Sequence, residues 1–262
     1  MLLLGIDFET QSDDTANTNV TEVGALLVEC THPEGENQTF RTVEELCTLV
    51  YEPTYPPQTQ KIIDITAITD EMLKTKGVSN VMAFRALVPL IERADYVFAH
   101  NKKFDEPVFL STCERYKIEA PRKPWICTFT EIDYPPQFRC KQLAHLAFDH
   151  DIVFDRKNLH RALDDVKLMM FLLAKYPIGD VLKYASEPWV YIQAIFPAPF
   201  ESKIGFEVGR TKAAKLGFGW EKAKGDEREF PKKWVKRVKQ RYADGLQADA
   251  DLLDLKVRVL PV

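Results

Sequence analysis

The hydrophobic period of this chain changes near residue 80, and that change limits what it can fold into. Before it, Leu2 to Phe8 is an apolar run ending in acids, and Glu22 to Glu29 is a second apolar run with a β-branched flavour. Both read as strands, with a third inside Phe40 to Tyr51 and a polar loop from Ser12 to Asn19. After it, Val81, Phe84, Leu87, Val88 and Ile91 recur at helical spacing, and Tyr96 to Ala99 is a short buried strand. Phe104, Val108, Phe109 and Tyr116 suggest a further helix, with Pro107 tolerable only in its first turn. A last strong helix runs from about Leu159 to Lys175, on a stripe of Ala162, Leu163, Val166, Met169, Met170 and Leu173, and Pro177 and Gly179 close it. Strands followed by strand-and-helix alternation imply an α/β fold, a mixed sheet flanked by helices.

At 262 residues, 45% of them hydrophobic, the chain can bury one large domain and a small one. Pro188, Pro197 and Pro199 between Glu187 and Phe200 mark the boundary. The expected division is a domain over 1–180, a proline-containing linker over 181–200 and a small basic module over 201–262. Within the module Trp234 to Tyr242 is compatible with a basic helix, and Asp249 to Asp254 restores negative charge on a terminal helix or tail.

Charge is segregated. Thirteen Lys and Arg face five Asp and Glu between Lys203 and Arg241, so this stretch carries +8 while the formal total of −4 leaves −12 on the rest. An acidic body suits hard cations and a basic region suits phosphates. The five cysteines are odd in number and widely spaced, which excludes a C-x-x-C redox pair and the short spacings of a zinc site. Met1 to Leu4 is too short for a signal peptide, and no apolar run reaches membrane-spanning length. A cytoplasmic protein without membrane partners is the expectation.

Three acidic motifs carry the chemistry. Asp7 and Glu9 sit two apart at a strand end, so both carboxylates point the same way; alone they read as a solvated strand end. Asp105 follows the short strand and falls near a helix N-terminus, where an acid also serves the macrodipole. His160 and Asp165, five apart, are separated by about 140° on a regular helix, which puts Asp165 at the edge of the apolar stripe and His160 on the loop or first turn before it. Asp164-Asp165 alone reads as a charged outer face.

In order and local context these motifs, with Glu22-Val23-Gly24-Ala25, Ala67-Ile68-Thr69-Asp70-Glu71-Met72-Leu73, His100-Asn101 with Phe104-Asp105, and His160-Arg161-Ala162-Leu163-Asp164-Asp165, are those of a known family. Over about residues 1 to 176 the chain resembles the DEDDh branch of the DnaQ-like 3′→5′ exonucleases. The resemblance implies a ribonuclease H-like fold, Asp7, Glu9, Asp105 and Asp165 as ligands of two divalent ions, Mg²⁺ or Mn²⁺, and His160 and Glu9 as catalytic groups, His160 as general base. Oxygen-only ligands fit those ions, and a histidine can take a proton from water near neutral pH. It also places Phe8, Thr10, Ile68, Asn101 and Phe104 at the terminal nucleotide. The implied reaction is hydrolysis at DNA 3′ ends, preferably single-stranded, releasing nucleoside 5′-monophosphates, with a polymerase or repair complex as setting. RNA 3′ ends are the alternative substrate, and a non-catalytic nucleic-acid-binding protein the alternative class. Thr66 stands where the family commonly has a histidine, and Cys127-Thr128 where Asp-Thr is frequent, which bears on substrate preference and not on the ligands. In the basic module Lys232, Lys233, Lys236 and Arg237 are the expected phosphate-binding residues, interleaved with aromatics.

Overall fold

Leucine- and valine-rich runs pair as strands buried on both faces. In the computed structural model, which describes residues 1–35, 37–138, 140–154, 160–221 and 233–260, β1 (Leu2–Thr10) lies beside β2 (Val20–Thr31), antiparallel to it. β3 (Thr39–Leu49) continues the sheet on the far side of β2, also antiparallel. On its other side β1 pairs in parallel with β4 (Tyr96–Ala99), and β4 with β5 (Trp125–Cys127). The order is β3-β2-β1-β4-β5, the mixed sheet expected of a ribonuclease H-like domain.

The short helices α1 (Gln60–Thr66) and α2 (Asp70–Lys76) lead into α3 (Asn80–Arg93), and α4 (Lys102–Arg115) follows β4. α5 (Leu143–Asp149), α6 (Ala162–Leu173) and α7 (Ile178–Ser186) complete this part. Alternation along β1 sorts its side chains. Leu4, Ile6 and Phe8 pack with α3 and α4, where Phe8 stacks on Phe84 at 5.9 Å and Phe84 on Phe109 at 6.0 Å. Leu3 turns to the opposite core, built with Val166, Met169, Met170 and Leu173 of α6. Gly5 shares that second face, and a Cβ there would meet Val166 at 2.9 Å and Met169 at 3.0 Å. α6 comes closer still to β2: a Cβ on Gly24 would lie 2.2 Å from the Ala162 carbonyl carbon and 2.3 Å from the Leu163 nitrogen.

The chain divides into two compact units, Met1–Ala185 and Ser186–Val262. The second holds β6 (Trp189–Ile195), α8 (Lys203–Lys215), β7 (Gly219–Glu221), β8 (Lys233–Lys239), α9 (Ala243–Leu252) and β9 (Lys256–Leu260). Its strands are ordered β7-β8-β6-β9 with every neighbour antiparallel. That succession is the β-α-β-β-α-β motif. Val190, Ile192 and Ala194 of β6 pack with Ala213, Leu246 and Ala250 of the two helices.

Three expectations need correction. The 181–200 stretch is not a linker, because α7 runs to Ser186 and β6 occupies its middle; Pro188 precedes that strand and Pro197 follows it, so the prolines bound the element without entering it. Trp234 to Tyr242 is not helical but β8 and a 3-10 turn, Gln240–Tyr242, since pairing with β6 overrides the local pattern. Pro107 lies in the second turn of α4, which begins at Lys102 because the Asn101 carbonyl accepts from the Phe104 N–H at 2.7 Å. Among the described residues no helix is long and apolar enough to cross a membrane.

Gly24→Ala should destabilise the protein by about 3 kcal/mol, since backbone on both sides must move to admit a methyl group. Urea unfolding followed by circular dichroism measures this; a change within experimental error would contradict the close approach of α6 to β2.

Candidate active site

Parity on β1 decides where the first two acids go. Gly5, Asp7 and Glu9 follow Leu3 on the α6 face, and they reach the carboxyl end of the strand, where open α/β sheets hold their ligands. Asp165 lies in the first turn of α6, its N–H bonded to the Arg161 carbonyl at 3.0 Å. Carboxylate oxygens of Asp7, Glu9 and Asp165 all fall within 4.8 Å of one another. Asp105 arrives from the opposite side, in the first turn of α4, and is 1% exposed. All four line one cavity of about 950 Å³, together with His160. Asp164 is exposed, so the geometry selects Asp165 of the pair.

His160 precedes α6 with a left-handed backbone, φ 64°, and its N–H donates to Asp165 Oδ2 at 3.2 Å. The turn is held by its neighbour. Arg161 donates from Nε to Glu22 Oε2 at 3.0 Å and from Nη2 to Oε1 at 2.5 Å, and the Ala162 N–H donates to Glu22 Oε2 at 2.9 Å. The Glu22 side chain is fully buried on β2, directly across from Glu9. Glu22 and Gly24 thus dock the start of α6 on the sheet. Both residues stand in the Glu22-Val23-Gly24-Ala25 block, and an acid at the start of an apolar strand is the signal for this docking role.

Crowding of carboxylates in a desolvated place raises their pKa values. Burial, then repulsion from Asp105, Glu9, Asp165 and Glu22, holds Asp7 well above the usual range. Burial pushes Glu9 to about 8, with Asp165, Glu22 and Asp105 adding and Arg161 opposing. Asp105 reaches about 8 by burial, against a hydrogen bond from the Phe8 backbone, and Asp165 about 6 by burial, with His160 opposing. Asp105 Oδ1 and Asp165 Oδ1 are buried and have no hydrogen-bond partner among the described residues. Orphaned oxygens in an oxygen-only cluster are what a hard divalent cation satisfies, so the donor set fits Mg²⁺ or Mn²⁺.

The expected nucleotide contacts divide. Phe8, Thr10, Asn101 and Phe104 line the cavity; Asn101 is exposed, and its side chain makes no capping bond to α4. Ile68 does not reach it. It is fully buried against Leu49 and Leu73, its carbonyl held by Gln58 Nε2 at 2.7 Å. Ile62 and Ile65 of α1 line the cavity instead, Ile65 being 44% exposed. Thr66, at the family's histidine position, is on the same wall. His100 is spent on structure, its two ring nitrogens bonded to Thr128 Oγ1 at 2.9 Å and the Lys141 carbonyl at 2.8 Å.

Of the module's cations, Lys232 lies outside the described residues, and Lys233 is placed only as backbone in β8. Lys236 is a correction: it is half-buried, and its ammonium donates to the Leu216 carbonyl at 2.7 Å on the helix-covered side of the sheet, so it closes the end of α8. Arg237 is exposed.

The chain belongs to the RNase T exonuclease family, whose model matches residues 4–173. Among solved structures it is similar to Escherichia coli Exonuclease I in complex with a dT13 oligonucleotide, at 15% identity and a TM-score of 0.61, over 97% of this chain and 70% of that one. It is also similar to the nuclease domain of 3′hExo, described as a DEDDh family member bound to rAMP, at 12% identity and a TM-score of 0.52, over 66% and 90% of the two chains. At these identities the likenesses show the fold. No curated protein sequence matches the chain.

Two outcomes follow from the electrostatics. Acids that keep their protons to about pH 6 to 8 when folded but lose them near pH 4 when unfolded make metal-free protein less stable as pH rises through that window. Thermal melting in chelator should therefore fall from pH 5 to pH 8, and Mg²⁺ should raise the melting temperature more at the upper end; a pH-independent melting temperature contradicts the crowding. Arg161→Ala should lose about 3 kcal/mol of stability by leaving Glu22 buried without its cation, and Glu22→Gln less, since its amide oxygen still accepts from Ala162; equal losses in urea unfolding would argue against the ion pair.

Proposed function

We propose that the chain is a divalent-metal-dependent exonuclease that hydrolyses phosphodiester bonds at the 3′ end of single-stranded DNA and releases nucleoside 5′-monophosphates. The observation that carries this reading is the meeting of Asp7, Glu9, Asp105 and Asp165 in one cavity beside His160, within a chain of the exonuclease family. Those four carboxylates hold two divalent ions, and Glu9 also orients the attacking water. When bound, the ions supply Lewis-acid stabilisation of the charge that develops on the attacking and leaving oxygens. His160 takes the water's proton on its imidazole, and the bond from its N–H to Asp165 keeps the loop residue over the site. Phe8, Phe104, Ile62 and Ile65 offer apolar surfaces to a terminal base without reading its edge, while Thr10 and Asn101 supply polar contacts to the sugar and phosphate. A polymerase or repair complex is the setting such trimming serves.

RNA 3′ ends are a second reading, favoured by the rAMP described in the 3′hExo domain. Incubating 5′-labelled DNA and RNA of one sequence with Mg²⁺ separates them, since successive shortening from the 3′ end is expected of DNA. RNA shortened much faster would reverse the assignment. Asp7→Ala should lower cleavage by about 10³-fold or more, the loss of several kcal/mol of charge stabilisation. If wild type and Asp7→Ala bind a strand alike and neither cuts it, the protein is a binding module.

A further inference from the structure

The second unit has a sheet face that its own helices do not cover. Val190, Ile192 and Ala194 of β6, with Trp234 and Val238 of β8, pack towards α8 and α9. By alternation the residues between them turn the other way. Pairing then sets Tyr191 beside Arg237 on one side, Gln193 beside Arg258 on the other, and Ile195 beside Lys256. Val235, Lys239 and Leu260 on this face are buried, and its accessible part includes these six residues with the half-buried Trp189 beside them. Arg237, Lys256 and Arg258 are exposed, and Ile195 is 41% exposed.

The cations here are arranged as well as exposed. The Arg237 guanidinium carbon lies 4.4 Å from the Trp189 ring centroid and 6.0 Å from that of Tyr191, so aromatic rings hold it in place. Arg258 Nε donates to Gln193 Oε1 at 3.0 Å. Among the described residues none of the three cations has an acidic partner. Elsewhere in the unit Arg210 pairs with Glu207 and Arg241 with Glu187. Three unneutralised cations around a half-buried tyrosine on an antiparallel sheet combine phosphate attraction with a stacking surface.

We infer that this face binds single-stranded nucleic acid, with backbone phosphates on Arg237, Lys256 and Arg258 and a base over Tyr191. The inference rests on the exonuclease reading for its ligand class, and it replaces Lys236 with Arg258 and Lys256 as the cations that meet phosphate. A flat face of aromatic rings and cations has no means of choosing sequence, so its contribution is affinity for a strand as such.

The test uses the full-length protein in chelator, so that the strand is bound and not cut, with fluorescein-labelled oligothymidylate and oligouridylate over a series of NaCl concentrations. The double variant Arg237→Ala with Arg258→Ala should raise Kd about 10-fold and flatten the slope of log K against log salt by about 1.4, two contacts at about 0.7 each on single strands. Loss on either oligonucleotide supports the face, and the arm that responds identifies the sugar. Should the double variant melt early, Lys256→Glu on the exposed edge strand decides, with weaker binding expected at an unchanged melting temperature. Unchanged Kd and slope in variants of a wild type that degrades the strand with Mg²⁺ would overturn the face and leave the exonuclease standing. A wild type that neither binds nor cuts either strand would overturn both.

Discussion

The site depends on one buried ion pair. Glu22 is an acid near the start of a strand whose neighbours Val20, Val23 and Leu27 are wholly buried, and it is tolerable there because Arg161 and the Ala162 N–H engage both its oxygens. The pair works across the chain, joining β2 to the residue between His160 and the first turn of α6. A hydrophobic contact at this point would hold the helix as firmly but not in one rotation, whereas a two-pronged guanidinium on a carboxylate fixes angle as well as distance. Gly24 completes the constraint by letting backbone meet backbone.

Once α6 is set, the rest of the cluster is compulsory. Asp165 must face Asp7 and Glu9, and burial keeps water from spreading their charge. The core on the other side of β1, where Phe8, Phe84, Phe109 and Trp125 follow one another at about 6 Å, supplies the apolar burial that offsets this repulsion. The acidic end is therefore the part of the domain where stability has yielded to chemistry.

Much of this was legible in the sequence because the acids sit in strongly patterned elements. The apolar run ending at Phe8 fixed β1 and the parity of Asp7 and Glu9, and the stripe through Val166 and Met169 separated Asp165 from Asp164. What escaped lay where patterns are short or tertiary contacts decide. α1 has seven residues, too few to show a period, so Ile62 and Ile65 went unread while Ile68 inherited a role that its burial denies. In β8, Trp234, Val235 and Val238 have the spacing of a helix, and only pairing with β6 makes them a strand. Lys236 looked free because charge says nothing of which side of a sheet a residue faces.

Parity has one more consequence, for folding. Asp7 and Glu9 share a face with Gly5 and Leu3, and Glu22 shares one with Gly24, so the pairing that buries Leu4 and Ile6 is the same pairing that gathers the carboxylates. A slip of one residue between β1 and β2 would turn the acids towards the aromatic core and Leu4 and Ile6 towards α6. A compact but inactive version of this domain is thus not reached by misalignment: the chain that has sealed its interior has already assembled its cutting edge.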